Sequence, residues 1–230
     1  IRLFNRTAYP QSFMWWSNLA VHVNDTYKAV FPKDIYWASD HAWALTSSFP
    51  IIKGIYKTKD FKDGVDVRVF QNMPVPTSFF TYDSKYDFLS GYDFVKDGGV
   101  VHVSNRHIGT GKKMFTWGVS DFSKAWFDNL TDEDGPYIEL MTGVYSCNQP
   151  DFSWIMPYEY KTAEEYWYPI RNIGEISNAN IQGAVAIEFT DKAAEFAFNS
   201  TEKRDDAVIV ITRGDDIIYN KRIDISPEKP

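Results

Sequence analysis

Eleven prolines and thirteen glycines are spread along the 230 residues. They leave few windows where an α-helix of more than a turn or two can form, because an interior proline removes a helical hydrogen bond and glycine costs backbone entropy. Between these breakers the chain offers short runs rich in β-branched and aromatic residues, at 14–23, 66–70, 99–104, 113–118, 137–145, 181–190 and 207–212. Such runs, bounded by turn residues, predict strands. Helical periodicity is confined to a turn or two near 121–129 and 163–166. The expected fold class is therefore all-β, an antiparallel β-sandwich rather than an α/β fold. Residues 1–4 already read as a strand, so the sequence is expected to be part of something longer, with any localisation signal lost upstream.

A change in composition divides the chain near residue 180. Residues 1–180 crowd Trp, Tyr and Pro, whereas 181–230 reads as plain alternating strands with charged turns such as Arg213-Gly-Asp-Asp216. The second segment is expected to supply either the closing strands of the main domain or a small β module. The acids are dispersed and the net charge is −7. This argues against a nucleic-acid partner, which requires a clustered basic surface, and against an anionic membrane. No apolar run approaches the roughly 18 residues of a membrane-spanning helix, so no membrane insertion is expected. The lone Cys147 excludes an internal disulfide framework and a cysteine-rich zinc site.

Three clusters could carry chemistry. In Phe13-Met-Trp-Trp-Ser-Asn-Leu-Ala-Val-His-Val23, a period of two places Trp16, Asn18 and His22 on one face and Trp15, Ser17, Leu19, Val21 and Val23 on the other. A ring, an amide and an imidazole side by side suit a sugar; a Trp packed on a second sheet would show the same pattern. In the second cluster, 98–118, His102 ends a strand and a loop carries Arg106 and His107. Lys113, Phe115 and Trp117 alternate on the return strand. Its Gly109-Thr-Gly-Lys-Lys113 lacks the spacing and the strand-to-helix setting of a phosphate loop. His102 and His107 are not spaced as a helical zinc pair. Neither a metal nor any other cofactor is expected, and Arg106, His107 and Lys113 suit hydroxyl or carboxylate recognition or a solvated hairpin tip. In the third cluster, 130–160, alternation sends Ile138 and Leu140 to one face and Tyr137, Glu139 and Met141 to the other. A mid-strand carboxylate flanked by rings is either a core acid paired to a base or a site residue whose burial tunes its pKa.

Several long stretches, Asn5-Arg-Thr7, Phe13-Met-Trp-Trp-Ser-Asn18, Gly109-Thr-Gly-Lys-Lys-Met-Phe-Thr-Trp-Gly118, Leu130-Thr-Asp-Glu-Asp-Gly-Pro-Tyr-Ile-Glu-Leu140, Asn148-Gln-Pro-Asp-Phe-Ser-Trp154 and Tyr166-Trp-Tyr-Pro-Ile170, together resemble a bacterial family of unknown function. Its members are often fused to tetratricopeptide repeats, and its fold is similar to the galactose mutarotase supersandwich. The resemblance implies that this chain is an N-terminally truncated supersandwich whose concave sheet holds a sugar. In the epimerases of that class a His and a Glu exchange protons with the ring oxygen and the anomeric hydroxyl. The Glu falls in a segment like Tyr137-Ile-Glu-Leu140, so Glu139 is the carry-over. The His normally follows an Asn-x-Thr-like strand, where this chain has Trp15-Trp-Ser-Asn18. That departure leaves His22, His102 or His107 to supply the proton.

The functional expectation is a carbohydrate-active β-sandwich protein, hydrolase, lyase or epimerase-like, with carbohydrate as its partner. Glu139 and His107 are the candidate catalytic residues. Trp16, Asn18, Arg106, Lys113, Trp117, Gln149 and Asp151 are the candidate substrate-binding residues. Glycoside hydrolysis would add a second carboxylate, for which Asp134, Asp151 and Glu159 are available. The alternative is a non-catalytic carbohydrate-binding or scaffold domain. A periplasmic or secreted location is favoured, and the sequence specifies neither the sugar, the linkage nor the oligomeric state.

Overall fold

The computed structural model describes residues 1–41, 45–146 and 151–230. Strands take up 52% of the chain, all paired antiparallel, and the architecture is the all-β sandwich expected from the breaker pattern. The longest helix among the described residues is Asp121–Leu130, ten residues.

Three sheets stack. The first has six strands in the order Trp15–His22, Tyr137–Val144, Gly111–Thr116, Thr77–Thr81, Trp37–Ser39 and Thr46–Ser48. The second has four, Glu165–Arg171, Gly98–Ser104, Phe88–Asp93 and Lys28–Val30. The third has three, Asn178–Asn180, Gly183–Phe189 and Ala194–Ser200. Ile138, Leu140, Met114 and Phe79 of the first sheet are fully buried with Ala29 and Leu89 of the second. Val30, Phe88, Val101 and Ile170 point the opposite way and pack with Ala179, Ala184 and Ala186 of the third. The four-stranded sheet is thus covered on both faces and reads as an apolar run, whereas the second face of the six-stranded sheet is buried in its middle, at Phe80, Lys113 and Met141, and open at the end that carries Asn18 and His22. Each fully buried Leu, Phe or Met contributes about 1.5–3 kcal/mol.

Two sequence expectations need correction. The run at 66–70 contributes only Asp66 to the short strand Val65–Asp66, and Phe70 opens the 3-10 turn Phe70–Asn72. The helical turn expected at 163–166 is instead the start of strand Glu165–Arg171, paired in register with Gly98–Ser104 from Gly98–Arg171 to Ser104–Glu165. Its bulky Tyr166, Trp167 and Tyr168 suit a pleated surface, and Pro169 could not continue a helix.

The last strands, Arg204–Arg213 and Asp216–Ile225, form a long hairpin. Its turn needs Gly214 at a positive φ of 62°, the backbone that a two-residue hairpin loop requires. No helix of the described residues is long and apolar enough to cross a membrane.

Candidate functional site

The outward face of the six-stranded sheet gathers residues distant in sequence. Glu139 stands opposite Ala20 on one neighbouring strand and Phe115 on the other, and Met141 stands opposite Asn18 and Lys113. Asn18 therefore lies diagonally across from Glu139, within reach of a side-chain contact. Its Nδ2 donates to Glu139 Oε2 at 2.6 Å. Ile138 and Leu140 point into the core, as alternation requires.

An open depression of about 660 Å³ borders this pair. Asn18, His22, Tyr137 and Glu139 line it from the sheet, and Leu130, Thr131 and Asp134 from the end of the helix and the turn that follows. That turn is locally fixed: Thr131 Oγ1 lies 2.9 Å from Phe127 O and 2.8 Å from Gly135 O. Gly135 takes a φ of 80° that few other residues adopt. The wall places Asp134, one of the three candidate second carboxylates, in the same depression as Glu139.

An aromatic cluster adjoins the depression. Trp117 Nε1 donates to the Tyr137 hydroxyl at 3.0 Å, and the Trp117 ring meets Phe115 edge-on at 5.1 Å. It also stacks in parallel on Trp126 of the helix, 5.0 Å between centroids and 12° between planes. Gly118 makes the reversal from strand to helix possible, with φ at 80° and room for a side chain blocked by Met73 O at 2.6 Å. Ser120 then caps the helix by accepting from the Ser123 amide.

Lys113 lies on the expected face but beneath its surface, 1% exposed. Its ammonium sits 6.0 Å from the Trp16 ring and 5.5 Å from the Phe80 ring, so it supports Trp16 from below. His41 meets Trp16 edge-on at 6.4 Å.

The remaining candidates lie elsewhere. Arg106 and His107 line a separate depression of about 560 Å³ with Asp87, Glu164 and Tyr166. There the Arg106 amide donates to Asp87 Oδ1 at 2.9 Å. His107 and Glu139 thus border different depressions, because the loop leads into Gly111, which pairs with Gly143 at the end of strand Tyr137–Val144 remote from Tyr137 and the Glu139 depression. Asp151 is exposed just before strand Ser153–Ile155, which pairs with Gln11–Phe13. Gln149 lies outside the described residues. Glu159 is engaged locally, accepting from the Met156 amide at 2.6 Å and facing Lys161 Nζ at 3.0 Å. No group of three or more His, Cys, Asp or Glu among the described residues is arranged to hold a metal ion.

A second polar cluster, missed in the sequence, lies between the six- and four-stranded sheets behind this face. Ser17 donates through Oγ to Glu165 Oε2 at 2.7 Å. His102, fully buried, has its Nε2 3.7 Å from the same oxygen, beyond hydrogen-bond reach. Burial pushes the imidazole below its ordinary pKa; Glu165 pulls it back up, and Lys112 adds to the downward push. Both His102 nitrogens, Glu165 Oε1, Ser104 Oγ and Thr142 Oγ1 are buried without a partner among the described residues. Buried polar groups of this kind are ordinarily satisfied by internal water. The sequence signal was a polar residue on a strand that otherwise reads as apolar, Ser17 on the core face of its strand and His102 in the run 99–104.

Comparison with known proteins places this geometry in a family. Residues 178–230 match the description "YphG-like protein, second domain". A solved structure described as a TPR-domain containing protein from Parabacteroides distasonis ATCC 8503 is similar, with a TM-score of 0.58 and 21% identity. The similarity covers 73% of this chain and 26% of that one, and at this identity it shows a shared fold. Residues 3–170, most of the chain, match the family described as a domain of unknown function (DUF5107), and the chain belongs to that family.

Proposed function

We propose that the outward face of the six-stranded sheet binds carbohydrate, in a galactose mutarotase-like arrangement, with Glu139 as its general acid or base. The observation that carries this reading is the depression in which Glu139, held by Asn18, shares its walls with His22, Asp134 and Tyr137, the last hydrogen-bonded to the adjoining Trp117 ring. Rings with fixed orientation suit the apolar faces of a sugar, and convergent amide, imidazole and carboxylate groups suit its hydroxyls.

The same group of residues supports proton transfer. With His22 on the neighbouring strand, Glu139 could take a proton from one sugar oxygen while the imidazole gives one to another, the exchange an epimerase needs. With Asp134 it could form the carboxyl pair of a glycosidase. A purely binding role is the second reading. It is favoured by the exposure of Asn18 and His22 at the rim, which leaves the carboxylate open to water that a catalytic site usually excludes.

A glycan array followed by product analysis of the bound sugars tests the reading. In an enzyme, Glu139→Gln keeps the shape of the site and the Asn18 contact but removes the titrating group, so turnover is lost while affinity stays within a few-fold. In a binding module the same change weakens affinity and there is no turnover to lose. If no glycan on the array binds the wild-type chain, the proposal is wrong.

A further inference from the structure

The helix Asp121–Leu130 carries more apolar surface than its packing uses. Phe127 alone of its large side chains is buried, meeting Phe70 and Tyr137 in the core. Ser123 fixes the first turn by donating to Trp117 O at 2.6 Å. Phe122, Trp126 and Leu130 fall one turn apart, at intervals of four, and share a second flank of the helix. They are 58%, 37% and 50% exposed.

This flank is ordered and it leads somewhere. Trp126 is covered on one side by its parallel stack on Trp117, which sets the ring's orientation, and the residue still stays more than a third exposed. Phe122 stands edge-on to Trp126 at 6.1 Å. At the other end, Leu130 forms part of the wall of the depression that holds Glu139. The flank spans about 12 Å at the rise of an α-helix, too long for a single sugar ring already seated in the depression.

From this continuity we infer that the ligand is an oligosaccharide or polysaccharide, one end seated beside Glu139 and the following rings stacked along Trp126 and Phe122. The inference rests on the proposed reading of the depression as a sugar site. A preset ring platform binds a chain of repeating rings with little loss of side-chain freedom, and it adds affinity only to ligands longer than the depression.

The test is a chain-length titration. The wild-type protein is screened against mono- to hexasaccharides of the cello, xylo, manno, galacto and chito series, and each binding series is then titrated with Trp126→Ala and Phe122→Ala. Affinity should rise about tenfold or more from the monosaccharide to the longest member, and Trp126→Ala should remove about that factor from the longest member while leaving the monosaccharide unchanged. Phe122→Ala, at the more exposed ring, should do the same to a smaller degree and guards against a misfolded Trp126 variant. Equal affinity for all lengths, or equal weakening of short and long ligands, overturns the inference and leaves the depression reading intact. Binding of no series overturns both. Unchanged glycan affinity with an altered molecular mass in light scattering would make the flank a protein-docking surface and overturn the inference alone.

Discussion

Ser17→Ala should loosen the strand that presents Trp16 and Asn18. The Ser17 hydroxyl donates to Glu165 Oε2 at 2.7 Å and joins the edge strand of the six-stranded sheet to the edge strand of the four-stranded sheet. The Glu165 side chain is only 7% exposed, and its other oxygen has no partner among the described residues. A net hydrogen bond to a charged group stabilises by about 1.5–3 kcal/mol, and stranding a buried carboxylate puts the loss in the upper half of that range. For a chain of this size each kcal/mol moves Tm by about 2–4 °C, so the variant should melt roughly 4–12 °C below wild type. Calorimetry would measure this, and the double variant Ser17→Ala/Glu165→Gln supplies the control. Because the two residues act on one contact, the combined loss should fall short of the sum by about 1–2 kcal/mol. A Tm within about 1 °C of wild type for Ser17→Ala, or strict additivity in the double variant, would refute the assignment of this bond as the tie between the sheets.

Two further outcomes follow from the buried groups. Gly91→Ala should destabilise by about 1–3 kcal/mol in chemical denaturation, because its Cβ would lie 2.1 Å from the Tyr27 hydroxyl oxygen and 2.8 Å from Cζ in the core. Tyr27→Phe should rescue it only in part, since the ring carbon remains. Stability should also fall on acidification from pH 6.5, the ordinary value for histidine, because the folded state holds His102 below it and the unfolded chain takes up the proton first. That contribution is complete above pH 6.5 and is lost as pH falls towards the depressed folded value. Asp40 and Asp66, also depressed, add their losses only near and below 3.8. His102→Leu should flatten the upper slope, and an unchanged slope in that variant would remove His102 as its cause.

What the sequence made legible was governed by local geometry. A period of two correctly opposed Glu139 to Ile138 and Leu140. The same rule put Trp16, Asn18 and His22 together. It could not show that Asn18 meets Glu139 across 121 residues, since register between distant strands depends on tertiary pairing. Alternation put Lys113 on the right face but not at its depth, because that depends on the rings of Trp16 and Phe80 closing over an interior strand. Arg106 and His107 were grouped with Glu139 on chemistry alone, and the loop's position at the Gly143 end of the strand, opposite to the Tyr137 end, separates them. Glu165 was hidden by the helical reading of 163–166. The flank of Phe122, Trp126 and Leu130 was available at intervals of four, in a window read only as a turn or two of helix.

The most direct test of the central claim is the indole N–H region of an NMR titration with whichever glycan the array selects. The chain has eight tryptophans, and they divide between the proposed face and the rest of the molecule. Trp16, Trp117 and Trp126 should shift together as the ligand saturates. Trp167, tilted against His102 between the sheets at 4.4 Å, and Trp154, exposed on the short strand Ser153–Ile155, should hold still. Saturable shifts confined to Trp154 or Trp167, with Trp16, Trp117 and Trp126 unmoved, would place the ligand elsewhere and contradict the claim that this face binds carbohydrate.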